Sequence, residues 1–412
     1  MTVFPLLPDP ATAPADRPVL PPMTPADVLD WLRDTAPAIG DLSETVSGLC
    51  ERMNAAGIPV WRFTTGSPLL HPSVRAAMRI WTDDGATRTH LFPATPELET
   101  PYKLSPLKVV YEHGKTIHNP IGPEPEPGEF GIIPDLRARG ATDYYAMPAS
   151  LPESWPKSVT ITTRAPGGFS EAHLAFFRAM ARPLSVVLEL FWLKSMSHTL
   201  LDTYVGPLAA NRVLKGEVRR GDGETIRAVI AFADLRGFTE LSNRLDGPML
   251  LDVLNHYFDA VASAVETHGG EVLKFIGDGV LAVFPFATEA DAPAAAARAA
   301  AAARQTLKTL GVGCPRHPSS AHLACGFALH VGDVFYGNIG ALSRLDFTVI
   351  GPAVNLASRL EYHGKSIGAL VTLSAEMAAL VPEQAIPAGG FWPRGFPEAV
   401  EVYRLTPDPD CV

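Results

Sequence analysis

Residues 271–285 have the sequence EVLKFIGDGVLAVFP, in which two apolar runs flank a Gly-Asp-Gly turn. Glycine tolerates the backbone conformations that tight turns between antiparallel strands require. The stretch therefore predicts a β-hairpin, with strands at 271–276 and 280–285 and its turn at 277–279. This hairpin decides the fold of the C-terminal half, because it fixes two neighbouring strands to which the strands and helices on either side can be related.

The elements around the hairpin alternate between strands and helices. A strand is expected at 228–233, an amphipathic helix at 248–268, and an alanine-rich helix from the hairpin to about residue 310. The remaining expected elements are strands near 323–330, 334–339, 347–350, 369–373 and 400–405, and a helix at 353–363. This order is ferredoxin-like and predicts an α/β sandwich of the α+β class with an antiparallel sheet.

Two carboxylates come together in this predicted fold. The strand at 228–233 ends where the hairpin turns, so Asp234 and Asp278 are expected at the same end of the sheet. Two carboxylates at one edge suit a hard divalent cation, with phosphate oxygens as its remaining ligands. Each aspartate alone is better explained as a helix cap or a turn residue, but the two together favour a metal site.

Three motifs in this region resemble the catalytic domain of the class III nucleotidyl cyclases. They are AFADLRGFTELS at 231–242, GEVLKFIGDG at 270–279 and FTVIGPAVNLASR at 347–359. A fourth stretch, HVGDVFYGNIG at 330–340, is similar to the central hairpin of that family. The resemblance covers the chain from about residue 225 to its end, and the order of the motifs makes it specific.

The resemblance implies a role for each residue that matches a family motif. Asp234 and Asp278 match the two metal-binding aspartates, and the Leu235 carbonyl is a further ligand. The implied cofactors are two Mg²⁺ or Mn²⁺ ions per site. Lys274 and Thr348 match the two positions that contact the base, and this pair of residues favours ATP over GTP.

Asn355 and Arg359 lie four residues apart, on one face of a predicted helix. They match the pair that orients the ribose and stabilises charge on the α-phosphoryl group in the transition state. Without the motif, an exposed helix face with an ion pair between Arg359 and Glu361 would be the better explanation. The motif favours the catalytic role.

Further residues are expected to bind the phosphates. The turn after the first strand contains Gly237, Phe238 and Thr239, and its backbone N–H groups can face a phosphate. Arg394, in the sequence FWPRG, is a weaker candidate for binding the terminal phosphates. The triplet Gly364-Lys365-Ser366 looks like the end of a P-loop, but it follows a predicted helix instead of opening one.

The resemblance also implies a reaction and an assembly. The ribose 3′-oxygen of ATP attacks the α-phosphorus in line, which releases pyrophosphate and forms 3′,5′-cyclic AMP. In this family one chain supplies the metal aspartates and its partner supplies the other groups, so a chain with the full set implies a homodimer. Two alternatives stay open: a guanylate cyclase, which Lys274 disfavours, and a catalytically silent ligand-binding signalling module.

The first 224 residues are less specific. Residues 1–23 are Pro-rich and predict an extended leader. Residues 24–195 mix helical segments with strands expected at 58–63 and 157–163, and they close on a long helix from 171 to about 198. They resemble small-molecule sensor domains of the GAF type, with an unknown effector; the alternative is a domain that only dimerises. Residues 196–224 are expected to be a helical connector to the catalytic domain at 225–412.

Composition excludes several classes of protein. The 412 residues are 47% hydrophobic and 19% charged, which excludes disorder of the whole chain. The 34 basic and 44 acidic residues give a net charge of −10, which argues against a nucleic-acid partner.

Cellular location is predicted from the cysteines and the apolar segments. The four cysteines have no metal-ligand spacing and indicate free thiols in a reducing compartment; they are Cys50, Cys314, Cys325 and Cys411. The N-terminus does not resemble a signal peptide, and the most apolar stretch, 183–196, is too short to span a bilayer. We therefore expect a cytoplasmic protein without a membrane partner.

Overall fold

A computed structural model describes residues 20–94, 102–312 and 323–406. The chain divides into two compact units, Met1–Leu200 and Leu201–Val412. Most of the predicted leader at 1–23 lies outside the described residues, as do Cys314 and Cys411. The other two cysteines, Cys50 and Cys325, are buried free thiols, as expected.

The first unit is a six-stranded antiparallel sheet with helices. Its strands lie in the order β3-β2-β1-β6-β5-β4. The strands are β1 (Arg62–Pro68), β2 (Val74–Thr82), β3 (Thr87–Pro93), β4 (Ile117–Pro120), β5 (Asp143–Pro148) and β6 (Ser158–Thr163). The helices are α1 (Pro25–Asp34), α2 (Leu42–Ala55), α3 (Pro106–His113), α4 (Ile133–Ala138) and α5 (Glu171–Val205).

Two expectations for this unit need correction. The strand expected at 58–63 begins only at Arg62, because the Asn54 side chain holds the backbone of Val60. Asn54 Oδ1 accepts from the Val60 N–H at 2.7 Å, and its Nδ2 donates to the Val60 carbonyl at 3.1 Å. The long helix continues seven residues beyond its expected end at about 198, to Val205. That the unit is a GAF-type sensor stays a prediction.

The second unit is an α+β domain, and the predicted fold class is confirmed. Its strands are β7 (Gly223–Leu235), β8 (Glu271–Ile276), β9 (Gly279–Phe286), β10 (Cys325–Ala341), β11 (Arg344–Ile350), β12 (Val371–Ser374), β13 (Ala385–Phe391) and β14 (Val400–Leu405). Its helices are α6 (Pro207–Leu214), α7 (Phe238–Arg244), α8 (Gly247–Thr267), α9 (Ala292–Thr309), α10 (Pro352–Ser366) and α11 (Ala375–Leu380). The series β7-α8-β8-β9-α9-β10 is the predicted ferredoxin-like unit.

The sheet of the second unit has the order β13-β14-β12-β10-β7-β9-β8, with β11 paired to β10. All its pairs are antiparallel except β10 with β12. The strands expected at 323–330 and 334–339 form one strand, β10, whose ladder with β7 runs without a break through Gly332. Glycine is required there because a Cβ atom would lie 2.5 Å from that of Ala353 on α10.

Helices cover both faces of this sheet. One face packs against α8 and α9, which bury the alanines and valines of their inner sides. The other face packs under α10, whose inner side buries Ala353, Leu356, Ala357 and Leu360. Within the described ranges, no helix is both long and apolar enough to cross a membrane.

Candidate active site

The hairpin brings Asp278 next to Asp234. The ladder between β7 and β9 pairs Asp234 with Gly279, the residue directly after Asp278. Gly277 begins the turn with φ = 64°, a conformation that favours glycine. The two carboxylates therefore lie at one edge of the sheet, where the sequence places them.

The two carboxylates influence each other. Partial burial raises the pKa of Asp278, and the negative charge of Asp234 raises it further. The Lys365 ammonium donates a hydrogen bond to Asp234 Oδ2 and lies 3.5 Å from Glu361 Oε2. Burial lowers the pKa of Lys365, but the bond to Asp234 and the charge of Glu361 outweigh that effect and raise it. Lys365 thus compensates part of the negative charge at this edge.

Sequence reasoning missed this cation. The Gly-Lys-Ser triplet lies inside α10, so the expectation that it is no P-loop is confirmed. Arg236 is a second missed residue: its Nη2 lies 3.7 Å from Glu361 Oε1 and donates to the Ala369 carbonyl at 3.2 Å. Gly326 leaves room for it, because a Cβ atom there would overlap the Arg236 guanidinium.

Lys274 lies on β8, the edge strand of the sheet. Its side chain is 40% exposed, and no strand of the described residues pairs with the outer side of β8. Its ammonium forms an ion pair with Asp346 on β11. Phe347 is buried while Asp346 and Thr348 are not, so the latter two share one face of β11. Lys274, Asp346 and Thr348 therefore form one patch.

Asn355 and Arg359 lie on the exposed side of α10, opposite its buried face. Glu361 is buried and pairs with Arg236 and Lys365. The ion pair between Arg359 and Glu361 that would explain these residues structurally is absent from the described part of the chain. Arg359 remains available at the surface.

The expected phosphate-binding residues lie near β7 and β13. Gly237 has φ = 74° and precedes α7, Phe238 packs against the core, and Thr239 is exposed. Leu235 is buried at the end of β7. Arg394 is exposed in the loop after β13.

The candidate residues fall into two groups. Asp234 and Asp278 share the β7–β9 edge, whereas Lys274 and Thr348 share the β8–β11 patch. No hydrogen bond or ion pair within residues 20–94, 102–312 and 323–406 joins one group to the other. A substrate that needs both groups would have to bridge them or meet the second group on another chain.

The first group, Asp234 and Asp278, offers oxygen ligands of the kind that a divalent cation binds. The described residues hold no cluster of three or more His, Cys, Asp or Glu side chains suited to a metal. Two carboxylates with a nearby carbonyl, that of Leu235, nevertheless fit Mg²⁺ or Mn²⁺, which commonly binds one or two carboxylates together with substrate phosphates. The residues fit a metal ion that arrives with a nucleotide.

A family model described as the adenylate and guanylate cyclase catalytic domain matches residues 224–386. The second unit contains a class III cyclase domain. Both aspartates, Lys274, Thr348, Asn355 and Arg359 lie inside the matched range, whereas Arg394 lies beyond it.

Individual relatives and solved structures are similar to part of the chain. An adenylate cyclase of Anabaena cylindrica is 30% identical over 223 residues, which cover 52% of this chain and 43% of the relative. Adenylate cyclase 1 of Rhizobium meliloti is 30% identical over 178 residues, which cover 42% and 26%. The chain thus spans less than half the length of these relatives. The solved structure of the adenylyl cyclase CyaB from P. aeruginosa is 29% identical, with a TM-score of 0.39, and the match covers 46% of this chain and 98% of that one.

Proposed function

We propose that this chain is an adenylate cyclase that converts ATP to 3′,5′-cyclic AMP and pyrophosphate. The observation that carries the proposal is the pair of carboxylates, Asp234 and Asp278, at one edge of a cyclase domain. The match to adenylate cyclases supports the choice of reaction.

Lys274 and Thr348 are the proposed contacts to the base. An ammonium donates hydrogen bonds and cannot accept them, so Lys274 suits the ring nitrogen acceptors of adenine. The ion pair with Asp346 supports this role, because it holds the ammonium on the side of β11 that also carries Thr348. Guanine presents an N–H edge where adenine presents an acceptor, so Lys274 would leave that edge unpaired.

Asp234, Asp278 and the Leu235 carbonyl are the proposed metal ligands. The bound cations would polarise the 3′-hydroxyl and neutralise the pyrophosphate that leaves. Lys365 would release Asp234 for this purpose and remain paired with Glu361, which lies on the same helix. The Lys365 side chain is 38% exposed, so its ammonium keeps solvent and Glu361 as partners when Asp234 turns to a metal ion.

Asn355 and Arg359 are the proposed transition-state residues, and Arg394 with residues 237–239 the phosphate contacts. The guanidinium of Arg359 is free to approach the charge that develops on the α-phosphoryl group. No hydrogen bond or ion pair among the described residues joins Arg359 to Asp234 or Asp278, although Lys365 of the same helix pairs with Asp234. We therefore propose a homodimer in which each site takes its carboxylates from one chain and Arg359 from the other.

We also propose that residues 24–195 regulate the activity. The helix α5 packs in the core of the first unit and continues to Val205, within the second unit. A helix shared in this way can transmit a change in one unit to the other.

The proposed substrate is tested by turnover of ATP and GTP, side by side, by the purified full chain with Mn²⁺. Cyclic AMP as the main product supports the proposal, whereas cyclic GMP as the main product, or no product from either nucleotide, contradicts it. The variant Lys274→Glu should lower the ratio of kcat/KM for ATP over GTP by about tenfold or more, because it replaces a donor by an acceptor. Lys215→Glu, at an exposed lysine after α6, is the matched control.

A further inference from the structure

One face of the sheet in the first unit carries an aligned set of polar side chains. The ladders place Arg62 of β1 opposite Thr162 of β6, and Thr162 opposite Tyr144 of β5. The next register position on the same face pairs Thr64 with Thr160. Because side chains alternate between the faces of a sheet, these residues adjoin on one side.

This polar face is buried. The exposed fraction is 5% or less for Arg62, Thr64, Tyr144, Ser158, Thr160 and Thr162. The opposite face of the same strands is apolar and packs under α1, α2 and α5, with Phe63, Val159 and Ile161 in its core. A buried polar face in a sheet is costly unless its groups find partners.

Arg62 lacks the partner that its burial demands. Its side chain is 3% exposed, and burial lowers the pKa of the guanidinium to about 10, so it is still positively charged at neutral pH. No carboxylate in the described part of the chain forms an ion pair with it; the groups that act on its charge are the Tyr144 phenol and the Arg139 guanidinium, which has the same sign as Arg62. Buried Lys157 of the same unit, in contrast, lies 2.7 Å from Glu189.

The hydroxyl groups around Arg62 include one without a partner. Thr162 Oγ1 is buried and makes no hydrogen bond with any residue that the structure describes. The Thr64 and Thr160 hydroxyls lie 2.6 Å apart and satisfy each other. A buried cation and an unpaired hydroxyl thus lie side by side on adjacent strands.

We propose that Arg62 and Thr162 bind the carboxylate group of a small organic acid. The planar guanidinium offers two parallel N–H donors that match a carboxylate, and the Thr162 hydroxyl can donate a third hydrogen bond. One carboxylate balances one guanidinium. The acid carries a short apolar tail, because Val110, Ile133 and Leu136 form an apolar cluster with Tyr144 and Ala146 on this side of the sheet.

The experiment is thermal unfolding of the full chain in rising concentrations of sodium acetate, propionate or butyrate. Sodium chloride at the same ionic strength is the reference, and sodium phosphate tests another oxyanion. We expect a saturable rise of Tm with at least one carboxylate, because a ligand that binds only the folded state stabilises it. We expect Arg62→Met to abolish this dependence. Arg79→Met is the matched control, since Arg79 is a partly buried arginine whose partner position is Thr65, on the other face of the sheet.

The second variant keeps the test decisive if Arg62→Met does not fold. Thr162→Val removes one hydroxyl and keeps the side-chain shape, so we expect the half-saturating concentration to rise by about fivefold to tenfold. A carboxylate response that is absent, equal to that of chloride, or unchanged in both Arg62→Met and Thr162→Val would overturn the proposal. A response to phosphate alone would also overturn it, because the assigned ligand class would be wrong.

Discussion

The two sheets of this protein differ in how their charged side chains are paired and exposed. In the cyclase domain, Lys274 pairs with Asp346 and Lys365 with Asp234, and each lysine side chain is close to 40% exposed. In the first unit, Arg62 is buried and has no carboxylate beside it in the described chain. Ion pairs with a half-exposed lysine can be exchanged for a ligand at modest cost, whereas a buried single charge remains unfavourable until a ligand arrives. The first arrangement suits a substrate that turns over, and the second suits a ligand that stays bound.

The largest expected effect concerns the paired carboxylates. Asp278→Asn keeps the shape of the side chain but removes the charge that would hold the metal ions, so cyclase activity should fall by at least about a thousandfold. The measurement is cyclic AMP formation with saturating Mn²⁺. Asp252→Asn, at an exposed position of α8, is the matched control and should retain wild-type activity. Substantial activity in Asp278→Asn would disprove the proposed metal site.

Arg359→Ala should lower kcat by about a hundredfold to a thousandfold, the usual cost of removing one stabilising donor from a transition state. Because Arg359 and Asp278 are proposed to act from different chains, mixing Arg359→Ala with Asp278→Asn should restore part of the activity. The mixed dimer has one site with both residues intact. Failure of two folded, inactive variants to complement each other would contradict the shared site.

The third prediction tests the contrast between the sheets through stability. In buffer without carboxylates, Arg62→Met should raise the free energy of unfolding by about 1–3 kcal/mol, because it removes a buried charge without a partner. Lys365→Met should lower the free energy of unfolding by about 1 kcal/mol or less, since it leaves Asp234 and Asp278 without their cation. Urea unfolding of both variants measures whether the free energy of unfolding rises or falls relative to the wild-type chain. Destabilisation by Arg62→Met in such buffer would mean that Arg62 has a partner within the folded chain.

Local signals in the sequence predicted the hairpin of β8 and β9 well. The Gly-Asp-Gly turn and its apolar flanks are contiguous, so the position of Asp278 beside Asp234 followed from short-range rules and strand order. Short-range rules could not predict the ion pairs that the lysines of this site form. Lys365 lies 131 positions from Asp234, and Asp346 lies 72 positions from Lys274, so both pairs exist only after folding.

Tertiary neighbours also decide what short-range rules leave open. The exposure of Lys274 depends on strand order, because β8 lies at the edge of the sheet. The break expected near Gly332 did not occur, because the glycine accommodates the close approach of α10 instead of ending β10. A glycine in a strand can mark a break in the strand or the close approach of another element, and only the tertiary neighbour distinguishes these two cases.

The smallest expected effect is the pH dependence of the paired carboxylates. Burial and the charge of Asp234 raise the pKa of Asp278 in the folded chain above its value in the unfolded chain. An acid with a raised folded pKa stabilises the fold fully below its unfolded pKa, and this contribution is lost as the pH rises through the folded pKa. In metal-free buffer at neutral pH, Asp278→Asn should therefore raise Tm by about 2 °C, a small shift because solvent screens a site that is partly exposed. The gain should shrink as the pH falls toward the unfolded pKa, and Asp252→Asn should show no such trend. A gain in Tm that stays constant with pH would mean that the charge of Asp234 does not act on Asp278. The contrast between the paired charges of this site and the single charge of Arg62 would then be weaker.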